Sequence, residues 1–269
     1  MDAAAGTVPS NSIVIIDFGQ PDCSDSACGT DLTPNDDKEL LSQDYSTVEN
    51  FGNGFLAGVG SDETPYTTVI LGTSNDGSYM DSNASAEDIG KDFANEVNDL
   101  NTWNVNYGNI YQLAFAGGID AEQSYNAYGP TSYWATGWSD NTDGYYYAEY
   151  GSASGCPENY TIGGCNDSWT QTDIYDLSWG NSYAYPVPQI YNDATALEWG
   201  TIAAEIDAGT NPMWFLGPMD QHQACADKDD SCSGTDDTAN EAFDQLYEAE
   251  GQDYGYIFSI RYDLAEPSS

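Results

Sequence analysis

Asp120 and Glu122 stand two residues apart, just past the Gly117-Gly118 exit of the apolar run Tyr111–Ala116. In extended chain, residues i and i+2 point to the same face, with Cα atoms about 6.5–7 Å apart. Two carboxylates so placed can divide labour. Desolvation and like-charge coupling keep one protonated as an acid, while the other stays ionised and supports developing positive charge. Glycoside hydrolysis needs that division. Chance also makes such pairs, because Asp and Glu are 45 of 269 residues and Asp36-Asp37-Lys38-Glu39 contains another. The position after a glycine-marked strand exit singles out Asp120 and Glu122.

Other chemistry-bearing residues follow apolar runs in the same way. Asp17 follows Ile13-Val14-Ile15-Ile16, where an unpartnered carboxylate would be costly. It reads as a catalytic assistant or as the partner of a loop N–H. Gln189 and Tyr191 end Val187–Tyr191, and Asp220 with Gln221 follows Met213–Gly217. The chain carries six further tryptophans of interest, Trp134, Trp138, Trp169, Trp179, Trp199 and Trp214, and 21 tyrosines. Aromatic faces stack on the C–H faces of sugars. Trp179, at the end of the segment Ile174–Trp179, is the candidate for a site mouth, whereas Trp199 and Trp214 have the phase of core residues. A Ser-His-Asp triad would have to use His222, the single histidine, and no G-x-S-x-G elbow is present.

The elements that must position these residues alternate. Strands are expected at 13–16, 67–72, 111–116, 145–150, 174–179, 187–191, 213–217 and 254–260. Helices are expected at 37–51, from Ser85 through Leu100, at 123–138, 193–207 and 237–250. Ile13–Ile16 reads as a strand buried on both faces. Alternation without a linker-like shift in composition argues for a parallel α/β fold. Eight strands in this length match an irregular (β/α)8 barrel, a single domain over 1–269 with flexible ends at 1–11 and 262–269. A doubly wound sheet is the alternative, but Asp17-Phe18-Gly19-Gln20-Pro21 lacks the G-x-G-x-x-G turn. In a barrel the strand-end residues above converge on one mouth.

Composition narrows the partners and the compartment. Four Lys and Arg against 45 Asp and Glu give a formal net charge of −41. Such a surface cannot displace counterions from nucleic-acid phosphates, and it is repelled by anionic membranes. No 18-residue apolar run exists for membrane insertion. Salt relieves the self-repulsion, since the screening length falls from about 10 Å at 0.1 M to about 3 Å at 1 M. The chain is therefore expected to tolerate high salt. Met1–Ala5 has neither a basic nor an apolar signal region, so an exported form implies a signal absent from this chain. Six cysteines form three close pairs, Cys23/Cys28, Cys156/Cys165 and Cys225/Cys232, each expected to staple its own loop. Fifteen connectivities are possible, and nearest-neighbour disulfides are the economical ones. Zinc fits badly without a C-x2-C pair, so no metal site is expected. The five Asp between Asp227 and Asp237 are the one stretch that could hold a structural calcium ion, and they lack EF-hand spacing. Three N-x-[ST] patterns begin at Asn83, Asn159 and Asn166, in a chain where chance produces such matches.

An ordered series of motifs resembles a family of secreted bacterial proteins common in actinobacteria and their relatives. The series is Tyr150-Gly151-Ser152-Ala153-Ser154-Gly155-Cys156-Pro157, Trp169-Thr170-Gln171-Thr172-Asp173, Ser178-Trp179-Gly180, Pro186–Tyr191 and Gln223-Ala224-Cys225. The resemblance covers residues 110–247 and implies a secreted, disulfide-bearing domain with an acidic pair at Asp120 and Glu122. A more distant similarity is to the lysozyme-type glycoside hydrolases of family 25. It implies a barrel in which Glu122 is the general acid, Asp120 orients or stabilises the sugar, Asp17 assists, and Gln189 with Tyr191 line the site. The late motif, Pro-Gln-Ile-Tyr, departs from that pattern. The functional expectation is a secreted glycoside hydrolase-like protein acting on a neutral or cationic glycan without a cofactor. The alternative is a catalytically silent glycan-binding or surface structural protein on the same barrel.

Overall fold

The computed structural model describes residues 11–23, 28–31, 39–60, 65–107, 112–206, 214–227, 232, 234–249 and 262–263. The strands are β1 (Asn11–Asp17), β2 (Gln20–Asp22), β3 (Gly29–Asp31), β4 (Glu39–Leu40), β5 (Tyr66–Ser74), β6 (Leu113–Asp120), β7 (Tyr147–Glu149), β8 (Ala184–Pro186), β9 (Met219–Asp220) and β10 (Tyr262–Asp263). The helices are α1 (Leu41–Val59), α2 (Asn83–Tyr107), α3 (Tyr128–Asn141), α4 (Gln171–Ser178), α5 (Asp193–Ile206), α6 (His222–Asp227) and α7 (Ala239–Ala249). The fold is α/β. Its main sheet is parallel, with five strands in the order β1-β5-β6-β7-β8. By contact density the chain divides into two compact units, 1–119 with 129–147, and 120–128 with 148–269.

In the first unit, β5 is the strand buried on both faces, with Val69, Ile70 and Leu71 fully enclosed. Each such side chain contributes about 1.5–3 kcal/mol of burial. Ile13–Ile16 are only half-buried, which corrects the expectation for the first strand. The reason is position: β1 stands at the end of the sheet order and pairs with β5 alone among the described residues. Residues 20–22 and 29–31, expected as loop, pair antiparallel as β2 and β3, and the Cys23–Cys28 disulfide joins the residues next to that pairing. The first helix starts at Leu41 and not at 37, because Glu39 and Leu40 pair with β3.

The expected stripe on α2 is present: Ile89, Phe93, Val97 and Leu100 are all buried. Phe93 packs on Trp134, and Trp134 stacks on Trp138 with centroids 5.8 Å apart. Tyr147 meets both indoles edge-on. The helices α2 and α3 touch backbone to backbone at two glycines. A Cβ on Gly90 would run into the Trp134 carbonyl, and one on Gly137 into the Glu87 carbonyl. Alanine at either position is therefore expected to destabilise by about 1–3 kcal/mol, despite a helix-propensity gain of about 1 kcal/mol. Gly54 on α1 has nothing within 4 Å of its Cβ position, so alanine there is expected to stabilise. Urea unfolding of the three variants reads this out; equal effects at Gly54 and Gly137 would remove the close-approach explanation.

In the second unit, the segment expected as a strand at 174–179 is the helix α4. Thr170 and Asp173 form a reciprocal capping box at its start, and Gln171, Ile174, Leu177 and Ser178 are the buried face. A two-turn helix with four buried positions offers a period of 3.6 that Tyr- and Trp-rich composition disguises as strand. Helix α5 meets α7 where Gly200 lies against Ala249, over a core of Trp199, Ile202, Phe215 and Leu246. The late strands shift as well. Residues 187–191 give β8 at 184–186 followed by a lone parallel bridge from Gln189 to Met219. Of the strand expected at 213–217, Met213 lies outside the described residues, and Phe215 is a bridge residue with the Leu216 N–H donating to the Pro186 carbonyl at 2.9 Å; the named strand, β9, follows at Met219–Asp220, paired in parallel with β10. The strand expected at 254–260, most of the flexible ends and part of the Asp227–Asp237 segment lie outside the described residues. Asn11, Tyr262 and Asp263 belong to strands, not to flexible ends.

All three nearest-neighbour disulfides are formed, Cys23–Cys28, Cys156–Cys165 and Cys225–Cys232, as an oxidising compartment allows. The third corrects the expectation of a staple within one loop. Cys225 lies in α6, so its bond ties Cys232 back to a helix, with the two Cα atoms 5.7 Å apart. Cys232 is half-buried, and its carbonyl accepts the Thr235 N–H at 2.8 Å. Residues 228–231 and 233, on either side of Cys232, lie outside the described residues. Among the described residues no helix is long and apolar enough to cross a membrane, and no group of His, Cys, Asp and Glu could hold a metal ion.

Candidate active site

The second unit gathers Asp120, Glu122, Glu149, Ser152, Gln189, Tyr191 and Asp220. Asp120 is the last residue of β6, and Ala121 beyond it is buried against the backbone of Gly151. A Cβ on Gly151 would strike the Ala121 carbonyl. The exits of β6 and β7 are thus held together by a residue without a side chain. The Asp120 and Glu122 carboxylates both meet Gln189: its Nε2 donates to Asp120 Oδ1 at 3.0 Å and to the Tyr150 carbonyl at 3.1 Å, and its side chain also bonds Glu122.

Glu122 Oε2 accepts a hydrogen bond from Ser152 Oγ at 2.7 Å. Gln123 Nε2 donates to the Ser152 carbonyl, which fixes the loop that carries this hydroxyl. Burial pushes the Glu122 carboxyl above its usual range, and the bonds from Ser152 and Gln189 oppose the shift. The Tyr191 hydroxyl is raised by burial and then by the charges of Asp120, Glu122, Tyr125 and Asp220, so it stays a donor among carboxylates. Asp220 is fully buried in β9, and its Oδ1 accepts the His222 N–H at 3.0 Å.

Glu149 is the residue that sequence reading missed. It ends β7, is 1% exposed and sits inside the parallel sheet. Its Oε1 accepts the Gly151 N–H at 2.9 Å, and Ser178 Oγ donates to Oε2 at 3.2 Å. Burial pushes this carboxyl up to about 8, with the two hydrogen bonds opposing and the nearby Glu122 adding to the rise. Glu149 is therefore protonated at neutral pH. The signal that could have found it is its place: it ends a short strand in alternation with Tyr147, as Asp120 ends the preceding one.

The other expected site residues have these surroundings. Asp17 belongs to the first unit, where it is exposed and its Oδ1 accepts the Gly19 N–H at 2.8 Å. That is the loop-partner role, with Gly19 at φ 78° completing the turn. Trp179 is the C-cap of α4 and not a strand end. It packs edge-on against Phe215 and Trp199, and its Nε1 donates to the Trp214 carbonyl at 3.1 Å. Trp199 is core as expected, whereas Trp214 is 39% exposed. His222 is exposed, with Nδ1 3.0 Å from the Asp236 carbonyl. A concavity of about 510 Å³ in the first unit is lined by Tyr45, Glu96, Asp99, Trp103 and Tyr107 among others. Set against protein-family models, curated proteins and solved structures, the chain finds no match in any of the three.

Proposed function

We propose that this chain is a secreted glycoside hydrolase-like protein in which Glu122 is the general acid. The observation that carries the reading is the environment of the Asp120/Glu122 pair. One amide, Gln189, contacts both carboxylates, while burial raises the proton affinity of Glu122. A carboxyl held above its ordinary range delivers a proton to a glycosidic oxygen near neutral pH. As the C–O bond breaks, the Asp120 carboxylate stabilises positive charge on the sugar ring, and the Tyr191 hydroxyl donates to substrate or carboxylate. This reading needs no cofactor and rests on residues of the second unit alone, without Asp17.

The finer fold assignment within this proposal is a (β/α)8 barrel. The parallel contacts from Gln189 to Met219, and from β9 to β10, support it by extending the run of parallel partners beyond β8. Extracellular placement is supported by the three disulfides. The net charge of −41 disfavours acidic polymers, so neutral or cationic glycans are the substrates to assay. The test is release of reducing ends from such glycans in high salt by the wild-type protein and by Glu122→Gln. Saturable binding without turnover would replace hydrolysis with glycan binding, and turnover that survives Glu122→Gln would remove Glu122 from the chemistry.

A further inference from the structure

The three N-x-[ST] sites are equal as sequence but not as structure. Attachment of a glycan to asparagine needs an amide nitrogen open to a large donor. It also needs a backbone turn that brings the hydroxyl of residue i+2 onto the amide oxygen. That bond draws electron density toward the oxygen and lowers the cost of removing a proton from nitrogen. At Asn83 the chain is the first turn of α2, and Ser85 Oγ is engaged by the Ser82 carbonyl at 3.0 Å and by Asp81. At Asn166 the amide nitrogen is used: Nδ2 donates to Ser154 Oγ at 3.0 Å, and the side chain lies against Gly155.

Asn159 differs on every count. Residues 158–162 are all exposed, in the loop closed by the Cys156–Cys165 disulfide. Tyr160 takes a φ of 53°, in the left-handed region, which turns residue 161 back toward residue 159. Thr161 Oγ1 donates to Asn159 Oδ1 at 2.6 Å, and Nδ2 makes no hydrogen bond to the described residues. The turn is anchored, because Tyr160 Oη donates to the Ala249 carbonyl at 2.9 Å. Beside it Ile162 is 64% exposed, an apolar side chain that a bound glycan would cover.

We propose that Asn159 is an N-glycan acceptor, set up by the Thr161 hydroxyl in a disulfide-closed turn. The donor is a lipid-linked sugar phosphate. Asn159 Nδ2 attacks the anomeric carbon, a C–N bond forms, the C–O bond to the phosphate breaks, the lipid phosphate leaves with the electron pair, and a base takes the amide proton.

The test treats the folded, oxidised full-length chain with an oligosaccharyltransferase that reads N-x-[ST] and a lipid-linked oligosaccharide. Peptide mapping by mass spectrometry then locates the product. The expected result is a glycan on the Asn159 peptide, with the Asn83 and Asn166 peptides modified at least about 10-fold less. Asn159→Gln and Thr161→Val each abolish the product, and Thr161→Ser retains it. Both exposed substitutions leave the circular dichroism spectrum unchanged. An unmodified Asn159 peptide, equal modification at Asn83 or Asn166, or undiminished modification of Thr161→Val overturns the proposal.

Discussion

Glu122→Gln is expected to lower the turnover of a neutral glycan by about 10²–10⁴-fold, the contribution of a positioned general acid. The amide preserves shape and can still accept from Ser152 Oγ, whose bond to the native carboxylate is 2.7 Å. It cannot give up a proton to a leaving alcohol. The loss should therefore shrink for an aryl glycoside whose phenolate leaves without protonation. In the wild-type protein, activity should fall as pH rises through the Glu122 pKa, which burial places above the ordinary carboxyl range. The descending limb thus lies at higher pH than an exposed glutamate would give. Glu87→Gln, on the exposed face of α2, serves as the control and should leave kcat unchanged. A full-size effect on the aryl substrate would indicate that Gln distorts the site and that proton donation is not what was lost.

Glu149→Gln is expected to change the pH dependence of stability. The folded carboxyl sits at about 8, above its ordinary value of 4.5. A group raised in the folded state favours folding while protonated. Its stabilising share is complete below the unfolded pKa and is lost as pH climbs toward 8. The span of shift corresponds to about 1.4 kcal/mol per pH unit, on the order of 4 kcal/mol between pH 4.5 and pH 8. The amide stays neutral throughout, so Glu149→Gln should gain stability relative to wild type by that order between pH 5 and pH 8.5. Urea midpoints at constant high salt measure it. Glu198, raised to about 7 by burial and by Glu158 against the opposing hydrogen bond from the Gly155 N–H, titrates in the same window and is present in both proteins, so it cancels in the difference. A difference that does not vary with pH would mean that Glu149 is ionised in its pocket.

The same two residues mark how far the sequence was legible. Glu122 was readable because a glycine pair, an apolar run and a second carboxylate at i+2 are all local. Glu149 was not, because what makes it unusual comes from far along the chain: Ser178 on α4 and the enclosure of β7 within the sheet. Reading 174–179 as strand removed the helix that supplies its partner. The Thr170–Asp173 capping box was the available correction, and it outweighs the aromatic content of six residues. The stripe of α2 and the pairing of neighbouring cysteines were legible because each depends on near neighbours alone. The half-exposure of Ile13–Ile16 was not, since four β-branched or apolar residues look the same in an end strand and in a central one. Trp179 shows the cost of the same misreading: it was chosen as the end of a strand, and it caps a helix with its ring against Phe215 and Trp199.

The three disulfides join cysteines only 5, 9 and 7 residues apart. Rings this small remove little chain entropy, about 2–3 kcal/mol each. Their value lies in maturation. Each thiol finds its partner by local diffusion, within reach as soon as that stretch of chain emerges, and no ring has to wait for the sheet to assemble. Oxidation can therefore run in any order without shuffling through wrong pairs, and a chain crossing into an oxidising compartment in an unfolded state arrives with its cross-links already chosen. Reduction of the finished protein should accordingly loosen three short stretches of chain rather than release the sheet.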